Sequence, residues 1–283
     1  MIEQDKYYTV TKRRDGFGAQ FQYYIWQILY TELNGGKFIM PKITDMEHNY
    51  NNDPNFIEKV KKFMNLENRY SGFQAFINKK TINFLNTKLG YQFVENNIDF
   101  CLKSNLMYNI KNLFWSNKNK NNIYQQEDNI ENYYNIAVHI RRQNKHDGSN
   151  YKEDTNIPLG YYKEKIFEAC EKYLFTFGLK RKKPIRIFIY SQGNINDFDE
   201  FLNIEYGEIN LKIDDDMFTS FLGLAAADVL IMSPSSFSYI AGFLSEGEIY
   251  YYPFWHNPAS FWQIPKNTKH IELDGYTNWI NTK

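Results

Sequence analysis

From residue 136 onward the chain alternates short apolar runs with helical stretches, and that alternation constrains the fold more than any other feature. Residues 136–140, 184–190, 208–213, 229–232 and 249–252 are runs of strand length, rich in β-branched and aromatic side chains. Between them the pattern predicts a helix opened by Pro158 and running to about Phe177, and a short helix over 196–203. Two more helices are predicted over 217–228 and 238–245. Apolar runs separated by helices imply a parallel sheet covered on both faces.

The first half opens in a similar way. Tyr7-Tyr8-Thr9-Val10 reads as a short strand. A turn holding Gly16 and Gly18 follows, then a helix over 19–33 with Phe21, Tyr24, Ile25, Ile28 and Leu29 at helical spacing. Asn34-Gly35-Gly36 ends it, and residues 37–41 read as the next strand, completing a βαβ unit. Residues 55–115 read as largely helical. Ile57, Val60, Phe63 and Met64 form one stripe, and Phe73, Phe76, Ile77 and Phe84 are expected to continue it as core. Residues 116–132 are polar, Asn/Lys-rich and without periodicity, either a loop or partly disordered. They divide the chain into an N-terminal domain, 1–130, and a C-terminal domain, 131–283.

Composition removes several function classes. Lys+Arg and Asp+Glu are equal at 33 each, so charge gives no reason to expect nucleic acid or an anionic membrane surface as partner. The frequent asparagines reflect an AT-rich genome. Cys101 and Cys170 stand far apart without Cys-x-x-Cys spacing, which disfavours a disulfide framework or a zinc site and favours free core thiols. The opening Met1-Ile2-Glu3-Gln4-Asp5 lacks the apolar segment of a secretory signal. No apolar run reaches the roughly 20 residues that span a bilayer. A soluble, cytoplasmic protein is the expectation.

Three segments could carry chemistry. The Asp15-Gly16-Phe17-Gly18-Ala19-Gln20 turn precedes a helix, where backbone amides can approach an anion; it also reads as a plain tight turn, because Phe21 breaks the full glycine fingerprint. His139-Ile140-Arg141-Arg142 ends a buried strand at the sheet edge where open α/β folds bind ligands. Guanidinium groups are always charged and match phosphate oxygens two at a time, so two of them suit a diphosphate, against the plainer reading that both pair with carboxylates. If the strand continues, Arg141 shares a face with His139 while Arg142 faces the other way, one reaching the ligand and one anchoring a loop. That loop carries Lys145, His146, Asp147, Glu153 and Asp154, among which an acid could act as general base or simply be solvated. Third, Ser233-Pro234-Ser235-Ser236-Phe237 lies between a strand and a helix, so one serine can cap the helix while its neighbour holds phosphate. Asp214-Asp215-Asp216 reads as a solvated loop supplying a helix N-cap, and no metal site is expected. No phosphate-loop lysine motif, His-Glu-x-x-His or Gly-x-Ser-x-Gly is present.

Taken in order, these segments resemble the GDP-fucose-dependent fucosyltransferase superfamily, which groups α-1,2- and α-1,6-fucosyltransferases with protein O-fucosyltransferases. Gly16-Phe17-Gly18-Ala19-Gln20 resembles its N-terminal motif and Val138-His139-Ile140-Arg141-Arg142 its His-x-Arg-Arg motif. Residues 187–191 resemble the following strand. Asp228 to Ser238, holding Ser233-Pro234-Ser235-Ser236-Phe237, resembles the third motif. The resemblance implies a GT-B glycosyltransferase, an α/β fold of two Rossmann-like halves with the parallel donor-binding sheet in the C-terminal half. It implies inverting, metal-independent transfer from a nucleotide sugar, GDP-fucose, to a glycan hydroxyl, with no cofactor. Arg142 and Arg141 would hold the departing diphosphate, His139 would sit near the guanosine, and Ser235 and Ser236 would bind phosphate. Gly16, Gly18 and Gln20 belong to a loop that would close on the pyrophosphate. Lys145 matches a lysine of the α-1,6 branch, and Glu153 matches its glutamate, the catalytic base, with Asp154 and Asp147 as rivals. Ser220 stands where the family often has an acid, Gln143 and Asn144 stand where it has aspartate after Arg-Arg, and Ser191-Gln192-Gly193 lacks the acid of the second motif. Two further readings keep the fold: a transferase using another nucleotide sugar, or an inactive sugar-nucleotide or glycan-binding protein. A purely structural α/β protein is the third. With no visible signal, the resemblance points to a bacterial or large-virus enzyme.

Overall fold

The computed structural model describes residues 2–49, 52–72, 80–119, 123, 133–142, 157–177, 183–266 and 270–271. The chain divides into two compact units, one built on Met1–Lys118 and the other on Asn119–Asp274. Both are α/β with parallel sheets, the class expected from the alternating pattern.

In the first unit the order is β1 (Tyr7–Thr9), α1 (Phe17–Leu33), β2 (Lys37–Phe38), α2 (Phe56–Met64), α3 (Glu67–Tyr70) and β3 (Ile82–Phe84). Helices α4 (Thr87–Asn96), α5 (Ile98–Lys103) and α6 (Asn105–Trp115) complete it. Strand β1 lies between β2 and β3 and is parallel to both, so β1, α1 and β2 form the βαβ unit that the glycine-ended helix predicts. Helix α1 is buried almost all round, with Phe21, Ile25, Trp26, Ile28 and Leu29 fully covered. A helix covered on every side must also satisfy its polar groups. Thr31 Oγ1 donates to the Gln27 carbonyl at 2.7 Å, and Gln27 Nε2 donates to the Thr87 carbonyl at 3.0 Å. Helix α2 buries Phe56, Val60 and Met64, one turn apart each time, and ends on Asn65 in the left-handed region at φ 55°. Asn65 Nδ2 then reaches the Leu113 carbonyl at 2.6 Å, while Lys118 Nζ donates to the carbonyls of Phe63 and Phe114 at 2.7 and 2.6 Å. An ammonium thus joins the negative C-terminal ends of α2 and α6.

Two expectations for this unit are corrected. Residues 82–84 form a strand inside the segment read as helical, and Phe84 is 71% exposed rather than core. A three-residue strand at a sheet edge has too few alternations to stand out against helical flanks. Phe73, Phe76 and Ile77 lie outside the described residues.

The second unit runs β4 (Tyr134–His139), α7 (Leu159–Phe177), β5 (Ile185–Ser191), a 3-10 helix (Ile195–Phe201), β6 (Glu208–Ile213), α8 (Met217–Ala226), β7 (Val229–Ile231), α9 (Ser236–Leu244) and β8 (Glu248–Tyr250). Every pairing is parallel and the order is β6-β5-β4-β7-β8. The sheet grows outward from β4 through β5 to β6, then resumes on the other side with β7 and β8. Its order therefore reverses between β4 and β7. Ile136, Ala137 and Val138 of β4 and all of β7 are fully buried, as central strands covered on both faces must be. At the N-terminal ends of the strands a polar tie fixes the register. The Asn135 amide donates to Asp228 Oδ2 at 2.8 Å, and Arg186 Nε donates to Asn135 Oδ1 at 3.3 Å, its guanidinium 3.7 Å over the Tyr133 ring. On the α8 side, Gly223 lets the helix close on β5: a Cβ there would lie 2.0 Å from the Tyr190 hydroxyl. Cys101 and Cys170 are free and buried, and burial pushes both thiols up to about 12, as expected of inert core cysteines. Among the described residues no helix is long and apolar enough to cross a membrane.

The contrast between two phenylalanines is measurable. Phe84→Ser should change the unfolding free energy by no more than about 0.5 kcal/mol. Phe114→Ala, at a fully buried ring, should cost about 3–5 kcal/mol in the same denaturant titration.

Candidate functional site

Open parallel sheets bind ligands at the carboxyl ends of the strands where the strand order reverses, because the flanking crossovers leave in opposite directions there. In the second unit that place lies between β4 and β7. The two segments that follow these strands are His139-Ile140-Arg141-Arg142 and Met232-Ser233-Pro234-Ser235-Ser236, the pair singled out by the sequence. One hydrogen bond joins them: Ser233 Oγ lies 2.7 Å from His139 Nδ1.

His139 is the last residue of β4 and is 9% exposed. Burial, aided by the Arg141 charge, pushes its pKa down to about 3, so the imidazole is neutral near pH 7. Its ring lies 5.5 Å from Phe237, which packs edge-on against Phe221 of α8. Ser235 caps α9, its Oγ accepting from the Phe237 amide at 3.2 Å. Ser238 Oγ folds back onto the Ser233 carbonyl at 3.1 Å and stiffens the turn. Ser236 is half-buried, and among the described residues its hydroxyl makes no hydrogen bond. One serine therefore caps while its neighbour remains available, as the sequence allowed.

Both arginines are half-buried. Strand β4 stops at His139, so the in-out alternation that would send them to opposite faces does not extend to them. Arg141 Nη1 donates to Gln192 Oε1 at 3.3 Å, and the Arg142 guanidinium lies 5.7 Å from the centre of the Phe198 ring. Both partners follow β5. Among the described residues Arg142 makes no ion pair. Ser191 Oγ, donating to the Ile140 carbonyl at 2.8 Å, holds the chain between the strand and the arginines. The turn after β5 lacks an acid of its own. Asp214, at φ 52°, supplies one from the end of β6, its Oδ1 accepting from the Gly193 amide at 3.4 Å. Asp216 caps α8 through Thr219, in line with the solvated-loop reading of the three aspartates. Ser220 lies half-buried one turn into α8.

Sequence reasoning missed Tyr162. It sits on the first turn of α7, 1% exposed, and burial raises its pKa well above the ordinary phenol value, opposed by the Arg142 charge and the nearby Ser233 hydroxyl. Tyr161-Tyr162 in an aromatic-rich chain gives no signal of its own.

The other expected positions belong to the first unit or lie outside the described residues. Gly16 caps α1 and Gly18 is buried within it, in the first unit. Gln20 is fully buried, its Nε2 donating to the carbonyls of Asp15 and Asp45 at 3.2 and 3.3 Å. Lys145, Asp147, Glu153 and Asp154 lie outside the described residues. Among those described, no three His, Cys, Asp or Glu side chains converge as metal ligands would.

No protein-family model and no curated protein matches the chain. Solved structures do. FUT1 of Arabidopsis thaliana in complex with GDP is 12% identical, with a TM-score of 0.39, covering 92% of this chain and 72% of that one. The fucosyltransferase NodZ from Bradyrhizobium is 11% identical, with a TM-score of 0.39 over 86% of this chain and 94% of that one. The E. coli heptosyltransferase WaaC, bound to an ADP-heptose analogue, is 9% identical, with a TM-score of 0.39 over 92% of each chain.

The neutral His139 has a thermodynamic consequence. Its folded-state pKa lies below the unfolded value of 6.5, so the unfolded chain takes up the extra proton between about 3 and 6.5. This contribution to stability is complete above pH 6.5 and is lost as the pH falls, by up to about 1.4 kcal/mol per pH unit. Urea titrations at a series of pH values should give a shallower acid slope for His139→Asn than for the wild type. Equal slopes would show that the imidazole is charged in the fold.

Proposed function

We propose that this chain is a GT-B glycosyltransferase that moves fucose from GDP-fucose to a glycan hydroxyl with inversion. The observation that carries the reading is the 2.7 Å bond between Ser233 and His139. It brings the His-x-Arg-Arg segment and the Ser-Ser-Phe-Ser helix start together at the reversal of strand order. Two half-buried guanidiniums, an unused Ser236 hydroxyl and the N-terminal end of α9 then share one sheet edge, an arrangement suited to a diphosphate.

In this reading the acceptor oxygen attacks C1 of the sugar, the bond from C1 to the diphosphate oxygen breaks, and its electron pair leaves with GDP. Arg141 and Arg142 neutralise that departing charge. The acceptor proton passes to a carboxylate, Glu153 by the family resemblance, with Asp154 and Asp147 as alternatives. Ser235 and Ser236 bind phosphate oxygens, Lys145 adds charge, and Ser220 lies on the helix flanking the base. Gly16, Gly18 and Gln20 shape the N-terminal loop. No cofactor is needed.

Two measurements test this. GDP at 100-fold its Kd should raise the unfolding free energy by about 2.7 kcal/mol, and UDP or CMP should do so less. Arg142→Lys should fold normally yet lose transfer from GDP-fucose, because an ammonium cannot reproduce the bidentate fork. Wild-type turnover in that variant, or no stabilisation by GDP, would overturn the assignment.

A further inference from the structure

Arg142 is half-buried, yet among the described residues it makes no hydrogen bond and no ion pair. What it lies over is the Phe198 ring, with 5.7 Å from the guanidinium carbon to the ring centre. Structural arginines in this chain are held differently. Arg186 also lies over a ring, but its Nε donates to Asn135, and Arg13 has Asp15 at 2.6 Å and the Tyr91 hydroxyl at 3.3 Å. Carboxylates are not lacking near Phe198. Asp197, Asp199 and Glu200 flank it in the same 3-10 helix, all three are exposed, and Glu200 pairs with Lys163 at 3.3 Å. The ring itself is fully buried, on a helix capped by Asn194, whose Oδ1 accepts from the Asn196 amide at 3.1 Å. The same stretch after β5 also holds the two residues before Arg142. Ser191 Oγ donates to the Ile140 carbonyl at 2.8 Å, and Gln192 Oε1 accepts from Arg141 Nη1 at 3.3 Å. Three consecutive residues beyond β4 thus rest on one segment.

An aromatic ring attracts a guanidinium through its flat side, and the N–H donors then point outward in the guanidinium plane. A carboxylate would hold the same group by those donors, and an incoming phosphate would have to displace it. We propose that Phe198 is a positioning residue of the donor site, its buried ring holding the Arg142 guanidinium beyond the carboxyl end of β4 by the face and leaving the N–H edge to the departing diphosphate. The diphosphate rests on the proposed function; the hold of the ring on Arg142 does not.

Replacing Phe198 by mono-, di- and trifluorinated phenylalanine drains the ring face of negative charge in steps and barely changes its shape. Nitrogen-15 relaxation of the Arg142 Nε–H in the nucleotide-free protein reads the hold directly, with Arg142→Lys identifying the resonance. The Arg142 side chain should grow more mobile with each fluorine, while Arg141, held by Gln192, stays as it is. Affinity for GDP, measured by calorimetry, should fall in step by about twofold to fivefold in all, the worth of a partly exposed cation–π contact. The same series at Phe201, an equally buried ring of that helix, controls for packing and should move neither reading. Three results would overturn the inference: an Arg142 that does not loosen, a flat GDP affinity in a protein that binds GDP and whose Arg142 does loosen, or an equal response at Phe201. Loosening of Arg142 in a protein that GDP does not bind would uphold the hold of the ring and defeat the nucleotide reading.

Discussion

The reversal of strand order beside β4 is the constraint on which the rest of the second unit depends. Strands added outward on one side of β4 send their connections one way, and those added after β7 send theirs the other way. The carboxyl ends of β4 and β7 are then the place where such a sheet takes a ligand. Arg141, Arg142 and Ser236 are half-buried there, while His139 and Ser233 are buried, which lowers the dielectric around the arginine charges. A bond from the end of one strand to the turn after the other, His139 to Ser233, would mean little elsewhere in the sheet. Here it fixes the two rims of the opening at a set separation. Because burial keeps His139 neutral, that link carries no charge of its own, and the positive field at the edge comes from the arginines.

Burial sorts the arginines of this unit by what they can do. Arg186 is 1% exposed, lies over Tyr133 and donates to Asn135, at the opposite end of the strands. Its charge is enclosed by aromatic faces and a side-chain amide, and that enclosure ties β5 to β4. Arg142 is half-buried beside the Phe198 ring and makes no ion pair among the described residues, and Arg141, also half-buried, donates to Gln192. A guanidinium oriented by a neutral partner keeps its full charge for an incoming anion, whereas one locked to a carboxylate must first give up an ion pair. Net charge of zero and four arginines within one domain say nothing of this; position along the strand does.

The alternating pattern made the second sheet legible because its strands are long enough, or apolar enough, to interrupt the helical period. β6 falls at the expected residues and β4, β5, β7 and β8 lie within two residues of theirs. The edge position of His139-Ile140-Arg141-Arg142 and of the serines followed from the same pattern, since a polar segment after a buried parallel strand must emerge at its carboxyl end. What stayed hidden depends on contacts distant in sequence. β3 is too short to signal itself, and Phe84 looked like core only because the surrounding stripe was taken as helix. The direction of the arginines could not be read from alternation because the strand ends before them. Tyr162 comes near Ser233 from 71 positions away in the chain, a proximity no local pattern encodes.

The glycines of the first unit show how a motif can have a local reason beside a functional one. Gly16 caps α1 at φ −66°, a conformation open to any residue, so backbone freedom does not explain it. Space does. A Cβ at Gly16 would stand 2.6 Å from His48 Nδ1, so any larger residue would push that imidazole away from the start of α1. Gln20, one turn further on, ties the carbonyls of Asp15 and Asp45, and the Glu47 amide donates to the Asp15 carbonyl at 3.1 Å. The turn after β1 and the segment after β2 are thereby laced together at one end of the sheet. A glycine that admits a histidine and a glutamine that joins two loops would be selected for packing alone. The Gly-x-Gly segment by itself therefore says less about an anion than the arginines and serines of the second unit do, because their packing leaves a guanidinium without a carboxylate and a hydroxyl without a protein partner among the described residues.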